Sequence, residues 1–230
     1  MNQAKAAKNF LYYDLIMAAF VTLLLCTNLI GAAKVVEVWG FSFGGTLIFF
    51  PITYLFGDVL TEVYGYKRSR KVIWTGFAAM AFASFVTWLV IALPPAPGWE
   101  NQREIELVFQ TTPRLALASM LAYFAGEFVN SYTLAKMKVM TEGKWLWSRL
   151  FISTVFGEAV DTLIIYPLAF YGIWPTDLII KVMITSYVVK VLWEMFAMPL
   201  TYPFVRYLKR VEHEDYYDRN TNFSPFSFKL

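Results

Sequence analysis

Apolar residues fill this chain in long, barely interrupted stretches, separated by short polar segments. Six stretches approach or exceed the roughly 20 apolar residues that a helix needs to span a bilayer. They cover residues 11–33, 44–64, 70–93, 113–136, 149–173 and 178–206. Open sheet edges cannot sit in lipid and the runs are too long for barrel strands, so helix is the expected state of all six. The segment PPAPGWENQREIE after the third span is acidic and predicts a short surface helix. The chain divides into an N-terminal segment (1–10), a six-helix transmembrane domain (11–208) and a C-terminal tail (209–230). The tail is polar from residue 212 and is expected to be hydrated and partly disordered.

Composition sharpens the picture. Of the 230 residues 58% are hydrophobic and only 16% charged, against about 25% charged in soluble domains. A soluble fold of this size has too little interior to hide so much apolar surface. The polar first ten residues and long first span do not read as a cleaved signal peptide. Lys and Arg are distributed unevenly. Fifteen lie at the two ends and in the 2–3 and 4–5 connections, while Lys34, Arg103, Arg114 and Lys181 lie on the other side. By the positive-inside rule both termini are cytoplasmic. The basic clusters are thus explained by topology and imply no nucleic acid. The single cysteine, Cys26, allows no internal disulfide, and the single histidine, His213, sits in the tail. No metal, cofactor or catalytic residue is expected.

The informative positions are the polar residues inside the spans. Span 1 carries Asn28, span 2 Asp58 and Glu62, span 4 Glu127 and Asn130, span 5 Glu158 and Asp161, and span 6 Lys190 and Glu194. A charge at a helix centre costs about 2.5–3.5 kcal/mol even on a lenient scale. These side chains must therefore face a shared wet or mutually satisfying interior. Their spacing agrees, since Thr154, Glu158, Asp161 and Thr162 recur at three- and four-residue steps, as do Ser119, Tyr123, Glu127 and Asn130. Six acids surround one base, Lys190, which is expected to pair with Asp161 or Glu194. Glu62 is expected to escape toward Lys67 and Arg68 near the headgroups, in the position of a cytosolic gate. Any one such acid can also be a plain helix–helix hydrogen-bonding device. Pro51, Pro199 and Pro203 read as kinks.

Span 2 reads FGDVLTE, span 5 FGEAVDT and span 4 AGEFVNS. Spans 2 and 5 are the middle members of two three-span halves that the charge count runs in opposite directions. The expected fold class is an all-α integral membrane protein of six transmembrane helices in two inverted three-helix halves. A polar site at the interface of such halves is the pattern of a secondary transporter.

FPITYLFGDVLTEVYGYKRSRKVIWTGF, SMLAYFAGEFVNSYTLAKMKV and STVFGEAVDTLIIYPLAFYG, with CTNLI and the Lys190 region, resemble the queuosine precursor transporters, also called the vitamin uptake transporter family. The resemblance covers about residues 11–208. It implies a six-span carrier of the cell (inner) membrane that imports the 7-deazaguanines preQ0 and preQ1 for tRNA modification by alternating access. The family's membrane polar residues fall on Asn28, Asp58, Asn130, Asp161 and Lys190. Positions 127 and 158, often amides in relatives, are Glu here. The expected binding set is Asn28, Asp58, Glu127, Asn130, Glu158, Asp161, Lys190 and Glu194. A carboxylate can accept from a guanine-like N–H and amino pair, and Lys190 or Asn28 can donate to a carbonyl. Tyr54, Phe56, Tyr123, Phe124 and Phe156 are stacking candidates. The partners implied are this small 7-deazapurine, the lipid bilayer and, as an open option, a second copy of the chain. Two other readings remain beside it: a substrate-binding subunit of a larger energised uptake complex, and an intramembrane carboxylate-dependent hydrolase.

Overall fold

The apolar runs fold as helices whose polar stripes turn toward one another. The computed structural model describes residues 9–29, 35–38, 41–44, 49–109 and 113–227. The helices are α1 (Tyr13–Leu29), α2 (Phe50–Tyr64), α3 (Tyr66–Ala92), α4 (Gln102–Phe109), α5 (Pro113–Met140), α6 (Leu146–Phe170) and α7 (Thr176–Val211). Among the described residues the one departure from helix of any regular length is an antiparallel hairpin, β1 (Val35–Val38) with β2 (Phe41–Gly44), where Val35 faces Gly44. Residue 44 is thus strand rather than the start of the second span, and residues 30–34 and 45–48 lie outside the described residues. The expected surface helix after the third span is α4.

Helix α2 packs against α1, α3, α5 and α7, and α5 against α6 is the most extensive helix pair. Pro51 stands in the first turn of α2 and does not kink it, because the N–H it lacks has no partner there anyway. Pro199 and Pro203 do lie inside α7. A single residue, Gly65, joins α2 to α3, with φ 85° and its N–H on the Thr61 carbonyl at 3.0 Å. A side chain there would be strained and would run into the Tyr216 ring. Lys67, Arg68 and Arg70 consequently lie on the first turns of α3 rather than in a loop.

Helices α3 and α6 are both long and apolar enough to cross a bilayer. Only 11% of the most apolar stretch of α3 is buried inside the protein, and Phe82, Trp88, Phe196 and Leu200 are exposed. A soluble protein hides most surface of this kind. At about 1.5 Å per residue the 15-residue α2 is about 22 Å long, shorter than the roughly 30 Å hydrocarbon layer.

The tail differs from the sequence expectation, because through residue 227 it is laced onto α3. Asp218 accepts the Tyr66 backbone N–H at 3.0 Å, supplying from 152 residues away the N-cap that Gly65 cannot. The Tyr66 hydroxyl donates to the Phe223 carbonyl, Arg70 to the Asn222 and Ser224 carbonyls, and the Trp74 indole to the Pro225 carbonyl. Glu212 accepts from the Leu11 and Tyr12 N–H groups and the Tyr64 hydroxyl, tying in the start of the chain.

Candidate functional site

Three glycine–acid pairs meet where α2, α5 and α6 approach. A Cβ on Gly126 would come within 3.1 Å of the Gly157 carbonyl oxygen, and one on Gly157 within 2.8 Å of the Asn130 Cβ. A Cβ on Gly57 would sit 3.0 Å from Glu127 Oε2. The glycines therefore let the backbones close until the adjoining acids share one interior. Asp58, Glu127, Asn130, Glu158, Asp161 and Glu194 are all buried there.

Asn130 donates to Asp58 Oδ1 at 2.8 Å, joining α5 to α2. Lys190 Nζ donates to Asp161 Oδ2 at 2.6 Å and stands 3.0 Å from Glu158 Oε2. It therefore reaches across to α6, pairing with Asp161 as expected and with Glu158 in place of Glu194. Tyr54 hydrogen-bonds Glu158. The charges acting most strongly on Glu127 are Asp58, Glu158 and Asp161, and on Glu194 they are Asp58, Glu158 and Glu127. Asn28 stands apart from this set: it donates to the Leu24 carbonyl and accepts from Ser119 at 2.8 Å, linking α1 to α5.

The aromatic candidates divide. Tyr54 is in the site. The Tyr123 hydroxyl turns toward α3, where it donates to the Ile73 carbonyl at 3.3 Å and fills the notch over Gly76. Phe56 packs edge-on against Phe204. Phe124 lies in a cluster with Trp74, Phe77 and Phe128. Phe156 is 54% exposed on the outer face of α6. Periodicity finds a helix face but not which way an aromatic ring swings from it.

Glu62 also departs from expectation. It is fully buried and turned away from Lys67 and Arg68. Arg149 grips it through two hydrogen bonds of 2.7 and 3.1 Å, and Lys209 donates at 2.7 Å. Lys138 stands 3.7 Å away and pairs with Asp215, which also meets Lys209 at 2.8 Å. This second centre ties α2, α5, α6, α7 and the tail. Lys138, Lys209 and Asp215 lie past the apolar runs. Burial pushes the Lys138 ammonium below the ordinary lysine range. Burial opposes the charge of Lys209 too, but Glu62 and Asp215 outweigh it and raise that group. Burial also works against the Asp215 charge, and the hydrogen bonds from Lys138 and Lys209 prevail and lower it. Sequence reading counted these cations as topology signals and missed their joint partner; no spacing rule links Glu62 to Arg149. A third buried cluster, Thr61, Ser69 and Ser131, joins α2, α3 and α5 through hydroxyls 2.9–3.0 Å apart and is packing.

Among the described residues no group of His, Cys, Asp and Glu is arranged to hold a metal ion. A sequence profile of the family described as "Putative vitamin uptake transporter" matches residues 44–204, more than half of the chain and every acid of the buried site. The chain belongs to this family. It is a transporter, not an enzyme. A relative from Bacillus subtilis (strain 168) named "Probable queuosine precursor transporter" is 30% identical over 179 residues, 77% of this chain and 78% of the relative. The "Queuosine precursor transporter" of Escherichia coli (strain K12) is 25% identical over 136 residues, 59% of each chain. A Haemophilus influenzae relative, also named "Probable queuosine precursor transporter", is 27% identical over 128 residues, 55% of this chain and 51% of its own length. No solved structure matches the chain.

Proposed function

We propose that this chain imports queuosine precursors, the 7-deazaguanines, into the cytoplasm by alternating access. It does so as a six-span protein of the cell (inner) membrane with two inverted three-helix halves. Its N-terminal segment 1–10 and its tail 209–230 are cytoplasmic, on either side of the transport domain 11–208. The observation that carries this reading is the meeting of three glycine–acid pairs in one buried site beside Lys190; kinship with proteins named queuosine precursor transporters supplies the substrate class. Asp58, Glu127, Glu158, Asp161 and Glu194 accept from the ring N–H and amino donors, Asn130 orients Asp58, and Lys190 donates to the ring carbonyl. Tyr54 stacks the base. Asn28 shapes the site from α1.

Alternating access needs an element with two arrangements that the substrate biases. Lys190 supplies one, since it can exchange Asp161 and Glu158 for the substrate. The Glu62 centre supplies the closure on the cytoplasmic side, because release requires α2, α6 and α7 to part there.

The test is uptake of labelled preQ0 and preQ1 by cells that can make neither, repeated with purified protein in proteoliposomes. Uptake by the chain alone excludes a subunit that depends on a larger complex. Asp58→Asn and Asp161→Asn should each abolish uptake with membrane expression intact; wild-type transport by both would reduce the acids to packing devices. With Cys26 replaced by Ser, a cysteine at position 220 should resist impermeant thiol reagents in intact cells while one at 101 reacts, and labelling at 220 would overturn the topology.

A further inference from the structure

The buried side-chain atoms among the described residues that lack a hydrogen bond are all oxygens: Asp58 Oδ2, Glu127 Oε2, Asn130 Oδ1, Thr154 Oγ1, Glu158 Oε2 and Thr162 Oγ1. Glu158 Oε2 is answered by the charge of Lys190 at 3.0 Å; the others are not met by a donor. Their residues are between 0 and 4% exposed, and they converge from α2, α5 and α6 on one interior. A native interior leaves few such groups, and each invites a missing partner. The amide oxygen of Asn130 can only accept, and an ionised carboxylate likewise. The Thr154 and Thr162 hydroxyls can accept or donate, so acceptors predominate and the site suits a ligand that brings donors.

Charge points the same way. Five carboxylates, Asp58, Glu127, Glu158, Asp161 and Glu194, face one ammonium, Lys190, which is committed to Asp161 and Glu158. Among these acids Asp58 and Glu158 bear on both Glu127 and Glu194.

We infer that this site selects, among flat purine-like bases of one size, the one that carries a primary ammonium over the one that carries a nitrile in its place. The inference rests on the reading that the substrates are 7-deazaguanines. An aminomethyl arm, charged at neutral pH, brings three donors to the unmet oxygens near Glu127 and Glu194 and offsets one negative charge. A nitrile brings only an acceptor and sets it against acceptors. Hydrogen bonds to charged groups contribute about 1.5–3 kcal/mol, which corresponds to about tenfold to hundredfold in affinity.

The experiment titrates the purified full chain with preQ1 and preQ0 at pH 7. The expected result is preQ1 binding at least about tenfold tighter, with Glu127→Gln narrowing the ratio by weakening preQ1. Equal affinity, or tighter binding of preQ0, overturns the inference and leaves the assignment of 7-deazaguanine transport standing; it would mean that protons, not the ligand, answer the surplus acid. Binding of neither base overturns both. The wild-type ratio decides the matter even if Glu127→Gln fails to fold.

Discussion

Replacing Gly157 with alanine tests whether close helix approach creates the site. The added Cβ would stand 2.8 Å from the Asn130 Cβ and 3.1 Å from the Gly126 carbonyl oxygen. Ordinary carbon–carbon contact is about 3.5–4.0 Å, and neither neighbour is the free end of a flexible side chain. The α5 and α6 backbones must therefore separate by about 1 Å. Overpacking of this kind costs about 1–3 kcal/mol. For a chain of this length that lowers Tm by about 2–12 °C. The consequence for the site is larger, because Asn130 holds Asp58 at 2.8 Å and a shift of about 1 Å takes that pair out of hydrogen-bond range. Misplacement of about 1 Å costs on the order of a hundredfold in rate where geometry matters. The assay is initial uptake rate in precursor-dependent cells at matched membrane expression, with thermal unfolding of the purified variant alongside. Uptake should fall about a hundredfold while the protein still folds. Wild-type uptake and Tm together would refute the reasoning, since the crossing would then tolerate a methyl that the geometry forbids.

Lys190→Met leaves Glu158 and Asp161 without their cation, so binding of preQ1 should be lost in a titration and stability should fall by about 3–5 kcal/mol in thermal unfolding. Lys190→Arg should recover stability better than binding, because a planar fork differs in shape from an ammonium. Asp218→Ala removes the N-cap of α3 and should cost about 1 kcal/mol, read as faster hydrogen exchange at Tyr66 and along 218–226. The Asp215 carboxyl is held below its ordinary value by Lys138 and Lys209, so its contribution is fully present above about pH 4 and disappears as pH falls through the lowered value. Hydrogen exchange of the tail around 215 should therefore quicken only below about pH 4, and Asp215→Asn should remove that acid step.

What the sequence made legible follows from what local pattern can encode. Hydropathy and three- and four-residue spacing placed Asp58, Glu127, Asn130, Glu158 and Asp161 on inward stripes, and they are buried together. The FGD, AGE and FGE motifs marked a repeated element, and its glycines are the points where α2, α5 and α6 meet. Long-range pairing was not legible. Glu62 lies 87 residues from Arg149 and 147 from Lys209, and a basic residue near a span end signals topology whether or not it turns back into the bundle. Nor did low hydrophobicity in the tail foretell disorder, because its carbonyls and Asp218 satisfy donors on Tyr66, Arg70 and Trp74 that would otherwise need water. Lys190 illustrates a third limit: Asp161 and Glu194 were both within reach on paper, and tertiary packing keeps Asp161 and sets Glu158 beside it.

The strap across α3 also sets an order of events during synthesis. Tyr66 emerges from the ribosome 152 residues before Asp218, the group that caps it. At about 5–20 residues per second the wait is about 8–30 s. During that interval the positive first turn of α3, with Arg70 and the Trp74 indole, has none of its tail acceptors. Insertion of the spans can begin as they appear, but this end of the bundle closes only once residue 218 has been made. A chain released before residue 218 would leave the basic first turn of α3 without its cap.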